Sequence, residues 1–307
     1  MQAAQLLLSN PVARGLNILG DRWAILILRE VFLGQHRFEE FRTRTGASRG
    51  TLSKRLETLV HNGILYKNPY QTAPVRYEYR LTDKGRALYP WALLIWQWET
   101  EWADQLSANI PSRLTHFHPD EHALYPVAVC RHCREPLHFD DVERVVREEE
   151  IKSAPKNISE FGSQRRSRNS GNNSQLLGHV TDIIGDRWTL LLMAAAFVGL
   201  SRYDDFRQQL GVATNILADR LKMLVDADIL KREEYQTNPP RFEYHLTTKG
   251  KALYPQTMAL RQWVQEWLPP VSHPFTLVHR NCGHELQTDV ICQGCGEVPG
   301  ADEVRFS

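Results

Sequence analysis

The chain has 307 residues, 42% of them hydrophobic and 24% charged, with a net charge of +1, a pI near 7.7 and a mean hydropathy of −0.42. Domains usually run ~100–200 residues, so this length points to two modest cores. The balanced charge excludes a globally basic nucleic-acid binder or a polyanionic chain; any electrostatic footprint has to be local.

No apolar run approaches the ~18–20 residues that cross a bilayer, and the opening MQAAQLLLSNPVARG has no basic residue ahead of its short apolar patch. A cytoplasmic chain without membrane contact is the expectation. There the five cysteines, an odd number, are expected as thiols or metal ligands and not as disulfides.

An internal repeat organises everything else. GDRW stands at Gly20–Trp23 and again at Gly185–Trp188, an offset of 165 residues. The same offset aligns RFEEF (Arg37–Phe41) with RYDDF (Arg202–Phe206), and Tyr70–Pro90 with Tyr235–Pro255, where 15 of 21 positions are identical without a gap. The reading divides the chain into residues 1–112 (copy one), 113–147 (a Cys/His appendage), 148–174 (a polar, Ser/Asn/Gly-rich flexible linker), 175–270 (copy two) and 271–307 (a second, zinc-ribbon-like appendage).

Within copy one, Leu16, Leu19, Trp23, Ile27 and Leu28 recur at helical spacing, and Gly20-Asp21 separates two helices. Phe38 and Phe41 suggest a short third helix that stops near Gly46. In ASRGTLSKRLETLVHNG, Leu52, Leu56, Leu59 and Val60 make one apolar face, Ser48 is the N-cap and Gly63 the stop. Two short helices about a Gly-containing turn form a helix-turn-helix. Ile64–Tyr66 and Arg76–Leu81 read as strands around a wing loop, Asn68–Pro74, that holds two prolines. Thr82 caps a final helix carrying Leu88, Trp91, Ile95, Trp98 and Trp102; copy two keeps Leu253, Leu260, Trp263 and Trp267.

LGDRW, RFEEF, TLSKRLETLVHNGIL (Thr51–Leu65) and PVRYEYRLTDKGRAL (Pro74–Leu88), with their second-copy counterparts, resemble the HxlR-type branch of winged helix-turn-helix regulators, relatives of the MarR-like proteins. The resemblance covers roughly residues 10–106 and 175–270. It implies a mainly α fold with small β-hairpins, binding to double-stranded DNA, and a repressor or activator that pairs through terminal helices. Here the Trp-bearing helices of the two copies would pair, one chain imitating a homodimer. One departure matters: many family members place a Cys before the first-helix proline, where this chain has Asn10-Pro11, so redox sensing there is not carried over.

On this reading the DNA-facing residues of copy one are Ser48, Arg49, Gly50, Thr51, Ser53, Lys54, Arg55 and Thr58 on the recognition helix, with Lys67, Arg76 and Arg80 on the wing. Copy two offers Asn215, Arg220, Lys222 and Arg241, but Asp219, Met223 and Asp226 replace Lys54, Thr58 and His61. Two acids facing duplex phosphate make copy two the weaker reader.

All five cysteines lie in the appendages. Cys292-x-x-Cys295 with Cys282 and His284 has the spacing of a zinc site, with His279 a further ligand candidate. Cys130-x-x-Cys133 with His122 and either His118 or His116 forms a second possible set. The cofactor expectation is structural zinc, since four protein ligands leave no open position for catalysis. The chain shows no phosphate-binding glycine loop, nucleophile elbow or His-Glu-x-x-His, so a regulator and not an enzyme is expected, with an effector that the residues do not name. The alternative reading is an interaction scaffold or an effector or metal sensor built on the duplicated fold.

Overall fold

The computed structural model describes residues 11–102, 111–146, 183, 185–270 and 275–306; the linker expected at 148–174 lies outside them. In chain order the elements of the first half are α1 (Pro11–Leu19), α2 (Arg22–Phe32), α3 (Phe38–Thr45), α4 (Arg49–His61), β1 (Leu65–Thr72), β2 (Val75–Leu81), α5 (Asp83–Arg86), α6 (Tyr89–Trp102), β3 (Leu114–His116), β4 (His122–Ala123), β5 (Pro126–Cys130) and β6 (Val142–Val146). The second half has α7 (Arg187–Phe197), α8 (Tyr203–Leu210), α9 (Thr214–Asp226), β7 (Leu230–Thr237), β8 (Pro240–Leu246), α10 (Thr248–Lys251), α11 (Tyr254–Trp267), β9 (Phe275–His279), β10 (Thr288–Cys292) and β11 (Val304–Phe306).

Each copy is the expected winged helix. Leu52, Leu56 and Leu59 are fully buried, and Ser48 accepts from the Thr51 N–H at 3.2 Å to cap α4. The helix ends where Gly63 takes φ 68°, a conformation that needs no Cβ; in copy two Asp228 adopts φ 56° at the same place. The β1–β2 hairpin is antiparallel from Leu65↔Leu81 to Thr72↔Val75, and β7–β8 repeats it from Leu230↔Leu246 to Thr237↔Pro240. An additional bridge joins Arg37 to Glu78, and Arg202 to Glu243, so the hairpin is anchored to the segment entering the third helix.

Two expectations are corrected. The wing strands are longer than Ile64–Tyr66 and Arg76–Leu81: they continue almost to the tip, and Pro69 is absorbed at a register shift between Pro69 and Gln71, where a ladder N–H is dispensable. The final helix is two helices. Thr82 caps only α5, accepting from Gly85 N–H at 3.0 Å, and α6 starts afresh at Tyr89, with Pro90 in a first-turn position where its missing N–H leaves no bond unmade. Gly85 is required at this corner, because a Cβ there would stand 2.2 Å from the Ile64 carbonyl oxygen; Gly250 stands in the same relation to Ile229.

The buried hinge of each copy is the aspartate of GDRW. Asp21 caps α2, accepting from the N–H groups of Trp23 (3.0 Å) and Ala24 (3.3 Å), and pairs with Arg55 of α4 at 2.7 Å. Asp186 caps α7 through Thr189 and receives both arms of Arg220 at 3.0 and 2.9 Å. Burial pushes the Asp21 carboxyl up despite Arg55. At Asp186 burial acts in the same direction, but the bidentate Arg220 and the Thr189 N–H overcome it and hold the carboxyl below its ordinary value.

The compact units cut across the halves of the sequence. One unit contains copy one (Ile18–Val127) together with Asp289–Ser307; its three-stranded sheet runs β11-β3-β4, with Val304 opposite His116 and Thr115 opposite Ala123. Tyr89, Leu93, Leu114, Leu124, Cys292 and Val304 form a core cluster there. The other unit contains copy two (Asp186–Thr288) with the described parts of Met1–Asn17 and Ala128–Arg166. In it β6 pairs with β9, from Val142↔His279 to Val146↔Phe275, and Phe139 packs against Phe197 (5.6 Å) and Tyr254 (5.3 Å). Gly15 of α1 lies so close to α11 in this unit that a Cβ would meet Val264 at 2.8 Å.

Removing Arg220 leaves a buried carboxylate unpaired, so Arg220→Ala is expected to lower unfolding stability by about 3–5 kcal/mol in denaturant titrations. The folded-state pKa of Asp186 is depressed, so its contribution is present above the unfolded carboxyl value of ~3.9 and is lost as pH falls through and below it. Asp186→Asn should accordingly flatten the acid limb of the stability curve. Gly85→Ala should cost about 1–3 kcal/mol through the clash with Ile64, whereas Gly50→Ala, which meets nothing within 4 Å, should not.

Candidate nucleic-acid interface and metal-ligating clusters

The periodicity that buries Leu52, Leu56 and Leu59 turns the opposite side of α4 outward. Ser48, Arg49, Gly50, Ser53, Lys54, Glu57 and His61 are exposed, with Thr51 and Thr58 half-buried at the borders. Lys54 has no acidic partner within 4 Å among the described residues, while Arg49 reaches Glu39 at 3.1 Å across exposed surface. Exposed pairs of that kind are worth little and are easily exchanged for a phosphate. On the wing, Lys67 and Arg76 are exposed, and Lys67 lies 6.0 Å over the Tyr77 ring. Arg80 is engaged by Glu78 at 3.0 and 3.2 Å, which shares its charge with a neighbouring carboxylate.

Two of the expected DNA contacts are removed from the surface. Arg55 keeps 19% of its side-chain exposure and Arg220 only 9%, because both reach inward to the helix-capping aspartates. Arg is the one cation whose forked guanidinium can satisfy both carboxylate oxygens of a buried cap, which explains its place on the flank of the recognition helix.

The face of α9 has a different charge pattern. Asn215 is exposed; Lys222 is exposed but donates to Asp226 at 2.7 Å, and Asp219 engages Arg220. Arg241 remains exposed on the second wing, whereas Lys231 pairs with Glu233 at 2.6 Å. Arg202 and Arg37 stack on the wing tyrosines Tyr235 (4.8 Å) and Tyr70 (4.7 Å). Sequence reasoning passed over these two arginines, although each begins the repeated R-[FY]-x-x-F motif.

The tryptophans of α6 serve packing: Trp91 and Trp98 are buried, as is Trp263 in α11.

The cysteines group differently from the sequence reading. Cys292 and Cys295 do not join Cys282 and His284, and Cys130 and Cys133 do not join His118 and His122. In the unit of copy one, His116, His122, Cys292 and Cys295 converge, their ligand atoms all within 4.8 Å of one another; in the unit of copy two, Cys130, Cys133, His279 and Cys282 do the same. The reason is a strand. β5 stands between His122 and the knuckle that begins at Cys130, so a strand separates the histidine from the Cys-x-x-Cys that follows it. β10 does the same between Cys282 and Cys292. His118 is exposed and belongs to neither set; His284 stacks on His132 at 3.3 Å and groups with it and Cys282 at the edge of the second cluster. His116 and His279, both candidates in the sequence reading, are the inward ends of β3 and β9, whose burial alternates along the strand.

Within the first cluster, His122 Nε2 lies 3.2 Å from Cys292 Sγ and His116 Nδ1 lies 3.4 Å from Cys295 Sγ. His122 donates from Nδ1 to the Asp120 carbonyl at 2.6 Å, leaving Nε2 as a lone-pair donor. Burial would push the Cys292 thiol up, but backbone N–H groups at Cys295, Gly294 and Tyr125, with His122, bring it down to about 6. Within the second, Cys133 and Cys282 Sγ lie 3.3 and 3.5 Å from His279 Nδ1, and Cys130 and Cys282 Sγ are 3.9 Å apart. No helix among the described residues is long and apolar enough to cross a membrane.

The chain is similar to several known proteins. HTH-type transcriptional regulator Rv3095 of Mycobacterium tuberculosis (strain ATCC 25618 / H37Rv) is 38% identical over 122 residues, which is 39% of this chain and 77% of that protein. YvaP of Bacillus subtilis (strain 168), also an HTH-type transcriptional regulator, is 39% identical over 92 residues, 30% of this chain and 85% of that protein. The crystal structure of PA1607 aligns at 35% identity and a TM-score of 0.39, covering 44% of this chain and 96% of that one. The family model for the HxlR-like helix-turn-helix matches residues 18–107 and again 183–272, together more than half of the chain. The chain therefore belongs to the HxlR-like helix-turn-helix family and carries its DNA-binding winged helix twice.

Proposed function

We propose that this regulator is a sequence-specific repressor that uses its two winged helices as an intrachain pseudo-dimer, with copy one the stronger reader of DNA. The observation that carries the asymmetry is the state of the two equivalent faces. Lys54 stands exposed and unneutralised on α4, whereas its counterpart on α9 is Asp219, and the nearest lysine, Lys222, is occupied by Asp226. Each phosphate neutralised by a cation releases counterions, so an uncommitted lysine adds to affinity and a carboxylate subtracts from it. Sharing of segments between the halves within each compact unit supports the pseudo-dimer, because a winged-helix pair reads two half-sites ~10 bp apart or a multiple of that. The acidic face of α9 also favours a second reading, in which copy two holds a protein partner while copy one holds DNA.

Selection of bound duplexes from a random pool, followed by affinity measurement at two salt concentrations, tests both parts. An enriched inverted repeat supports paired reading; a single half-site supports the second reading; no enrichment with salt-independent, negligible affinity refutes DNA reading. On the selected duplex, Lys54→Ala should reduce the slope of log affinity against log salt by about 0.9, the effect of one lost phosphate contact. Lys222→Ala should leave that slope nearly unchanged. Equal losses from the two variants would contradict the asymmetry.

A further inference from the structure

We infer that the chain holds two structural zinc ions, each bound by ligands from both halves of the sequence: one by His116, His122, Cys292 and Cys295, the other by Cys130, Cys133, His279 and Cys282. The donor sets are two imidazoles with two thiolates and one imidazole with three thiolates, the borderline-soft chemistry that zinc takes in closed sites.

The spacing of the ligand atoms is that of a tetrahedron around a metal, not of a disulfide or a hydrophobic cluster. With Zn–S bonds of ~2.3 Å and Zn–N bonds of ~2.0–2.1 Å, tetrahedral edges come to ~3.8 Å between sulfurs and ~3.6 Å between sulfur and nitrogen. The observed separations are 3.9 Å for Cys130–Cys282, and 3.2 to 3.5 Å for the four sulfur–imidazole pairs. All five cysteines are free thiols, and the 3.9 Å sulfur pair is far beyond the ~2.05 Å of a disulfide bond.

The groups around the ligands are built for the same purpose. His116 and His279 are completely buried, and each points Nδ1 into its cluster. Glu303, which accepts the Gly300 N–H at 2.9 Å, is the carboxylate near the other ring nitrogen of His116, at 3.7 Å and so beyond hydrogen-bond distance. The Nδ1–H of His122 is spent on Asp120, so its Nε2 lone pair faces the cluster. Gly294 lets the Cys292–Cys295 knuckle lie against this ring, since a Cβ there would meet His122 Cδ2 at 3.0 Å. Paired ligands are 146 to 179 residues apart across the two halves, so each ion would close a long loop.

The test is metal analysis of the full chain purified without added metal. Two zinc ions per chain are expected; a content well below one overturns the proposal. The assignment across the halves is read from paired substitutions. His116→Ala and Cys295→Ser should each remove one ion, and their combination should still remove only one. His122→Ala with Cys133→Ser should remove both. If that last pair removed only one, His122 and Cys133 would share a site and the exchanged arrangement would be wrong. The ion retained in each single variant also reports that the chain has folded. Replacement of zinc by cobalt should give tetrahedral spectra whose thiolate charge-transfer intensity falls by about two-fifths in Cys295→Ser and three-fifths in Cys133→Ser, in keeping with two and three sulfur ligands; octahedral spectra would overturn the closed sites.

Discussion

The position of each recognition helix depends on a single buried carboxylate. Asp21 closes the first turn of α2, where unsatisfied N–H groups would otherwise be buried, and its second oxygen is held by Arg55 from α4. The cap of one helix is thereby the anchor of another. Because carboxylate and guanidinium are both largely removed from water, neither tolerates the absence of its partner, and the angle between the helices is tied to a hydrogen-bond geometry and not to apolar contact alone. Asp186 and Arg220 repeat the device with two parallel bonds. This is why GDRW is an evident mark of the repeat: its aspartate acts inside the fold in both copies.

Inside and outside, the copies have diverged unequally. Several internal devices recur, namely the aspartate cap, the Arg on the recognition helix, the Thr cap with its crowded glycine and the bridge to the wing, whereas the buried Glu30 and the Ser48 cap of copy one have Ala195 and Ala213 in the equivalent places. The outward face of the recognition helix does not, for Lys54, Thr58 and His61 face Asp219, Met223 and Asp226 in the equivalent places. Buried positions are constrained by neighbours that are themselves duplicated, whereas exposed ones are constrained only by what they bind. The divergence of the outward face concerns recognition, and copy two keeps the winged-helix elements.

Much of the fold was legible because its signals are local. Apolar spacing of 3–4 residues, Ser48 and Thr82 as caps, Gly46 and Gly63 as stops and two short strand segments need only short windows. The misread features depend on distant atoms. Whether Arg55 faces DNA or a carboxylate is decided by Asp21, 34 positions earlier, and helical periodicity places it only on a flank. The glycine required at the corner before α6 answers to a distant atom, the Ile64 carbonyl. The cysteine sets failed for the same reason: motif spacing identifies a Cys-x-x-Cys knuckle but says nothing about which strand carries it to which partner.

Exchange of segments between the halves follows from the duplication itself. Once two copies share a chain, a segment of one can complete the core of the other without a second molecule, and closure entropy grows only by ~0.6 kcal/mol for each doubling of the intervening loop. A separation near 165 residues is thus a small handicap, provided the docked segment buries enough surface. Phe139 against Phe197 and Tyr254, and Val304 paired with His116, are contacts of that kind. The exchanged parts are short, however: β11 has three residues and β6 five, too few for either segment to hold a core by hydrogen bonds alone. Each exchanged strand follows a Cys-x-x-Cys knuckle in the chain, β6 after Cys130–Cys133 and β11 after Cys292–Cys295, where the proposed zinc would serve as a staple. Each knuckle thus precedes in the chain the short strand that its half contributes to the other half's core.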